Sequence, residues 1–331
     1  MVMRSSAPRL SGAWLLLIML FPAPALAGEV EGWLERMSEA LRENHYEGVF
    51  VHTSPSDGRL QVMKVIHAFH DGEEYERLYS LSGAEREIIR SDESCRCIWP
   101  GAKVVVRGGY GNAAAFTSPR LESLEDIEGH YEARMGGEDR VAGMDARIIE
   151  IHPRDKFRYG YRLWLASDSA MLLRMDMVNH AGRPIEQTMC TELRFLDDVD
   201  PKRLDTRFDT SGFRIVGGEH PEAEASSGLG QWAVHELPAG FERTGERIRR
   251  NPRTGSPMRQ IAFGDGLSTV SVFIESVEES VEPGKAGGRR GSVSIYRRVI
   301  DGTQVTVVGE VPGHTVRLIG DSVGREAGND D

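Results

Sequence analysis

The sequence predicts an α+β protein in two units: a large antiparallel meander that curls and is entered by a helix, then a smaller α+β unit. Three observations predict it. The apolar period is 3.6 residues near residue 30 and two residues almost everywhere after Asn44. Turn residues punctuate the period-two region at short intervals, the spacing of antiparallel strands rather than of βαβ units. The 331 residues exceed what one core usually holds, and an unpatterned stretch rich in Gly, Ser and Glu at 212–230 divides them as a linker would.

Residues 1–27 read as a cleavable export signal. Arg4 and Arg9 precede an apolar run at 13–21, Pro22 and Pro24 end that run, and Ala25-Leu26-Ala27 supplies the small residues that a signal peptidase reads. The run is shorter than the roughly 20 apolar residues that a bilayer-spanning helix needs. No later segment is long enough either, so the processed chain is expected to be soluble and outside the cytoplasm. Removal of the leader takes two positive charges and no negative one, so the formal charge goes from −11 to −13. That acidity argues against a nucleic-acid partner, which needs clustered Lys and Arg. Local basic stretches at 243–259 and 289–298 leave anionic lipid or glycan open.

The processed chain opens with a helix, because Val30, Trp33, Leu34, Met37 and Leu41 form one apolar stripe. Strands are expected at 46–52, 60–69, 74–81, 85–91, 103–107, 147–152, 158–166, 172–178 and 185–193. The turns Asp71-Gly72 and Asn179-His180-Ala181-Gly182 lie between them. A second helix is expected where Leu121, Leu124, Ile127 and Tyr131 share a face. This large unit spans 28–211. The smaller unit, 231–322, is expected to have strands at 231–237, 259–263, 267–277, 291–300 and 304–311. Tight turns at Gly264-Asp265-Gly266 and Asp301-Gly302 and a short helix at 315–319 complete it. Residues 283–291 read as a mobile loop and 323–331 as a disordered tail.

Several strands are apolar on both faces. Tyr159, Tyr161, Leu163 and Leu165 point one way and Trp164 the other, while Met171, Leu173, Met175 and Met177 share a face of the next strand. A curled sheet with an apolar concave face is either filled by helices or open to an apolar ligand. The three cysteines all follow the leader. Cys95 and Cys97 would share a face of a strand, and Cys190 could reach one of them across a sheet. Cys97–Cys190 is the pairing to test, with three separate thiols the alternative. No metal-ligand spacing is present. Neither are G-x-S-x-G, H-E-x-x-H, a P-loop or a dinucleotide fingerprint, so a binding protein without cofactor is expected rather than an enzyme.

Particular segments carry a family likeness. Arg86-Glu87-Ile88-Ile89-Arg90, Cys97-Ile98-Trp99-Pro100 with Lys103-Val104-Val105-Val106, and Arg140-Val141-Ala142-Gly143-Met144 come first. They are followed by Ile149-Glu150-Ile151-His152-Pro153-Arg154-Asp155, Arg158-Tyr159-Gly160-Tyr161-Arg162-Leu163-Trp164-Leu165 and Leu237-Pro238-Ala239-Gly240-Phe241. Together, and in this order, they resemble the RseB/MucB family over nearly the whole processed chain. The resemblance implies a periplasmic regulator of the envelope-stress sigma factor. Such a protein binds the periplasmic part of an anti-sigma factor, shields it from proteolysis, and is released by lipopolysaccharide or a similar amphiphile. It also implies that the large unit is an unclosed antiparallel β-barrel over helices, LolA-like, with an apolar cavity. Trp99, Phe116, Trp164, Met171, Leu173 and Met175 are the candidate lining of that cavity, with ordinary core packing the plainer alternative. A periplasmic lipid or lipoprotein carrier of LolA type is the competing function. Edge strands of an unclosed barrel could also pair between copies to make a homo-oligomer.

Overall fold

The computed structural model describes residues 24–54, 58–92, 94–108, 127–217, 232–251, 254–277 and 284–325. Most of the expected leader lies outside them. Helix α1 (Pro24–Glu43) runs across the expected processing point after Ala27. Its stripe is the one the sequence shows: Val30, Leu34 and Met37 are buried, and Trp33 and Leu41 pack beside them.

Twelve strands follow in the large unit. They are β1 (Tyr46–Ser54), β2 (Arg59–His70), β3 (Glu73–Ser80), β4 (Glu87–Ser91), β5 (Cys95–Trp99) and β6 (Val104–Gly108). Then come β7 (Tyr131–Val141), β8 (Met144–Pro153), β9 (Gly160–Ala166), β10 (Leu172–Val178), β11 (Pro184–Phe195) and β12 (Arg214–Gly217). They form one sheet in the order β12-β6-β5-β4-β3-β2-β1-β11-β10-β9-β8-β7. Two meanders, β1 to β6 and β7 to β11, are thus joined along β1 and β11, with Phe50 opposite Cys190. β7 and β12 each have one neighbour, so the sheet is unclosed. Two-residue turns with both φ values positive, Asp71-Gly72 and Ala142-Gly143, make hairpins whose twist matches the strands.

The expected barrel over helices is an open sheet with α1 as its one helix among the described residues. The second expected helix fails where it can be followed. Residues 121–126 lie outside the described segments, Ile127 opens a turn that accepts from the amides of His130 and Tyr131, and Tyr131 begins β7. Tyr131, Ala133 and Met135 all reach the core, a period of two that outweighs the 3.6-residue spacing read upstream. Arg214–Gly217, expected as the start of the linker, pairs in parallel with β6.

The smaller unit contains β13 (Trp232–Val234), β14 (Glu242–Arg250), β15 (Pro257–Gly264), β16 (Thr269–Ser276), β17 (Lys285–Arg290), β18 (Val293–Ile300), β19 (Thr303–Gly309), α2 (Gly313–Ser322) and β20 (Val323–Arg325). Six of its strands form a sheet in the order β14-β15-β16-β19-β18-β17, and β13 pairs with β20. Ile261, Phe263, Val270, Val272, Ile274, Val305 and Val307 bury one face of the six-stranded sheet, together with Val316 and Ile319 of α2. Two expectations are corrected. Lys285–Arg290 is an edge strand rather than a loop, and 323–325 is a strand rather than tail, because Val323 is buried in this core. Residues 326–331 lie outside the described segments.

Candidate functional site

The concave face of the large sheet is lined by Ile149, Ile151, Tyr161, Leu163, Leu165 and Met177, all buried. The register sets Met177 beside Tyr161 and Tyr161 beside Ile151, so three strands contribute to one surface. This face is covered from two sides. α1 lays Leu34 and Met37 against it, and Leu267, from the loop between β15 and β16 of the smaller unit, packs into the same cluster.

The loop that carries Leu267 is pinned by a buried ion pair between the units. Arg158 and Asp265 are both fully buried, and Arg158 Nη1 donates to Asp265 Oδ2 at 2.8 Å. Asp265 Oδ2 also accepts from the Tyr131 hydroxyl at 3.0 Å, and Oδ1 accepts from the amides of Leu267 and Ser268. Arg158 Nη2 donates to the Ala239 carbonyl, and its Nε donates to Asp155 at 3.2 Å. The guanidinium lies 5.4 Å from the ring centre of Tyr131 and 5.1 Å from that of Phe241. All the charge is thus met by hydrogen bonds, which is the condition for burying an ion pair without a large desolvation loss. Burial first, and then the Asp265 carboxylate, push the Tyr131 hydroxyl far above its usual range, so it remains a donor.

Three further contacts complete the junction. The Thr315 hydroxyl donates to the Phe157 carbonyl at 2.8 Å, beside an aromatic contact between His314 and Phe157. Glu186 accepts from the Ser292 amide at 3.0 Å, and Glu310 sits near it, its carboxyl raised by burial first and by Glu186 second. Gly240 has φ +82, and a Cβ there would overlap the His130 ring. The two segments Arg158–Leu165 and Leu237–Phe241 therefore meet: the arginine of one grips the alanine carbonyl of the other.

Of the residues that the sequence singles out as cavity lining, Trp164, Met171 and Leu173 share one buried cluster, and the others do not join it among the described residues. Trp99 is half-buried at the end of β5, and Phe116 lies outside the described residues. Trp164 is buried, and its indole donates to Asp139 at 2.9 Å under the Arg174 guanidinium. It alternates with Leu163 and Leu165 and so faces away from them. A bulge between Leu172 and Arg174 breaks the expected common face of β10. Met171 and Leu173 belong with Trp164 to a cluster that also holds Phe50, Met63 and Val65, whereas Met175 packs with Leu163 beneath α1.

All three cysteines are free. Cys97 on β5 and Cys190 on β11 are separated by β4, β3, β2 and β1, so the expected pairing is not made. Cys95 and Cys97 do share a face. The hydrogen bond between the two thiols pulls Cys95 down to about 7 and pushes Cys97 far above its usual range, and burial pushes Cys190 up to about 12. Sequence reasoning missed Arg158, Asp265 and Tyr131 as a unit. Asp265 had registered only as a turn residue.

The model of the MucB/RseB N-terminal domain matches residues 29–208 and that of the MucB/RseB C-terminal domain matches residues 226–324. The sigma factor AlgU regulatory protein MucB of Pseudomonas aeruginosa is 31% identical, over 96% of this chain and 98% of that protein. The sigma-E factor regulatory protein RseB of Haemophilus influenzae is 28% identical, over 86% of this chain and 88% of that protein. Among solved structures, the Pseudomonas aeruginosa MucA/MucB complex matches with a TM-score of 0.72 at 30% identity, over 91% of this chain and 100% of that one. MucB in complex with MucA(peri) matches with a TM-score of 0.69 at 29% identity, over 90% of this chain and 99% of that one.

Proposed function

The chain belongs to the MucB/RseB family, and from that premise we propose that it is a periplasmic negative regulator of an envelope-stress sigma factor. It binds the periplasmic part of a membrane anti-sigma factor, protects that part from regulated proteolysis, and lets go when lipopolysaccharide or a similar amphiphile binds. The observation that carries this reading is the match of both units, in order, to proteins named as sigma factor regulators, one of them solved with MucA(peri). The leader-like N-terminus supports the compartment. No described helix is long and apolar enough to cross a membrane.

The junction supplies a physical route for release. An amphiphile shifts a complex only by its differential affinity for the two states. Its acyl part would compete for the apolar surface that Leu267 and α1 now cover, so ligand uptake and the docking of the smaller unit oppose each other. A carrier of LolA type would need that surface free for cargo, and the docked smaller unit counts against it.

The test uses the processed chain and the periplasmic peptide of the cognate anti-sigma factor. Stable retention of the peptide, slower cleavage of it by the protease that initiates its degradation, and release on adding lipopolysaccharide are expected. Absence of binding at both low and moderate salt refutes the assignment.

A further inference from the structure

Cys95 and Cys97 stand side by side on one face of β5, and neither takes part in the junction between the units. Cys95 is buried, and Cys97 is partly exposed. The register sets Cys95 between Arg90 of β4 and Gly108 of β6, and Cys97 between Ile88 and Val106. The hydrogen bond with Cys97, and after it the Arg90 guanidinium, favour a thiolate at Cys95 and outweigh its burial. A thiolate in hydrogen-bond contact with a second thiol is how a dithiol redox couple is poised. Cys190 differs: its thiol donates to the Glu192 carbonyl at 3.1 Å, and burial holds its proton in place.

A strand advances about 3.4 Å per residue, so Cα atoms two residues apart lie about 6.8 Å from each other, the outer limit for a disulfide. A bridge would draw them together by about 1 Å, and Arg96 between them would have to buckle out of the strand. Arg96 is where β5 holds the chain that leads to the smaller unit. Its side chain points to the other face, and Nη2 donates to Asp205 Oδ1 at 3.1 Å, in the segment after β11. Its register partner on β6 is Arg107, which in turn pairs with Gly217 of β12. Gly217 has φ +84 and sits so close that a Cβ there would overlap the Arg107 carbonyl. β6 is the one strand that β12 pairs with, and β12 is the last described strand before β13 opens the smaller unit.

We propose that Cys95 and Cys97 form an oxidant-responsive dithiol, closed by a disulfide oxidant into a bridge that buckles β5 and loosens its hold on the chain leading to the smaller unit. Cys97, the more exposed sulfur, passes its proton to the Cys95 thiolate and attacks the oxidant, releasing one of the oxidant's sulfurs as a thiolate. Cys95 gives up that proton to the released thiolate and attacks the Cys97 sulfur. This expels the second thiolate, which takes a proton from solvent. One S–S bond breaks and one forms, and two electrons pass from the protein to the oxidant. Without oxidant the regular strand keeps the two thiols apart, and reductant restores them. None of this needs the partner proposed above, and it is read out without it.

The processed chain treated with oxidised glutathione is expected to lose about 2 Da and to keep one titratable thiol of three. Trypsin cleaves the unfolded chain after Arg90, Arg96 and Lys103, so the bridge should hold peptides 91–96 and 97–103 together until reductant is added. Amide exchange at 104–107 and 214–217 should be about tenfold faster than in the reduced protein, with α2 unchanged. Cys97→Ser should show neither the bridge nor the faster exchange. Retention of all three thiols, glutathione held on Cys97 without a bridge, or a Cys97 bridge to a second chain overturns the proposal. So does a bridge that leaves exchange at 104–107 and 214–217 as it was.

Discussion

At Arg158 and Asp265 opposite charges face each other where neither reaches water, so the consequence of losing one differs from that of losing both. Asp265→Ala leaves a buried guanidinium with Asp155 and a carbonyl as its remaining acceptors. It should destabilise the protein by about 3–5 kcal/mol, whereas Arg158→Met combined with Asp265→Leu should recover much of that loss. Urea unfolding of the three chains measures both, and a loss under about 1 kcal/mol in Asp265→Ala would show that the pair is not the pin described here. The cysteines allow a second residue-level test. If the Cys97 thiol donates to Cys95, alkylation of Cys95 should rise with pH around 7, and Cys97→Ala should move that rise toward 9, the ordinary value. An unshifted profile in Cys97→Ala would place the cause elsewhere. The intact mass of untreated protein should be the same with and without reductant, since no disulfide is present.

Among the elements, α1 is the one whose face can be predicted most directly to matter. Leu34 is 3% exposed and closes the concave surface, so Leu34→Ala should cost about 2–5 kcal/mol, read as a fall in the urea midpoint. A change at Glu35, on the exposed side of the same helix, should move the midpoint little. That stripe was legible because a helix buried on one face writes a 3.6-residue period into the sequence. The central strands were legible for the matching reason, since in β1 the buried Tyr46, Gly48 and Phe50 alternate with the partly exposed Glu47, Val49 and Val51. The edge strands were not. All six residues of β17 are exposed and β14 is almost wholly polar, so neither carries an apolar alternation, and only their partners β18 and β15 define them. β10 misled for another reason. Met171, Leu173 and Met175 alternate in sequence, but the bulge at Leu173 parts Met175 from the other two, and a bulge leaves no mark in an apolar run. The junction was half legible: the segment starting at Arg158 stood out, but its charge partner lies 107 residues away in a turn whose glycines explained it already.

For the molecule as a whole, the junction ties the stability of one unit to the ionisation of the other. Glu310 follows β19 in the smaller unit, and it is raised by burial first and by Glu186 of the large unit second. Tyr161, on the concave face, is pushed up by burial, by Glu310 and by Asp265, so it stays neutral and adds no charge of its own. A carboxyl whose folded value lies above its unfolded value of 4.5 binds its proton more tightly in the folded protein. The stability this contributes is fully present below pH 4.5 and is lost as pH rises through the raised value, where two negative carboxylates face each other across the junction. Glu310→Gln keeps the shape and never acquires the charge. It should therefore unfold at a higher temperature than the parent at pH 7, and the difference should shrink to nothing near pH 4, where both side chains are neutral. Carboxylates lowered by their partners, Glu47 and Asp205 among them, impose the opposite trend below pH 4.5 on both chains alike, so the difference between the two melting curves isolates Glu310. A variant no more stable than the parent at pH 7 would mean that the junction opens, or admits enough water, to solvate both carboxylates. The two units would then not be held in the docked arrangement in solution.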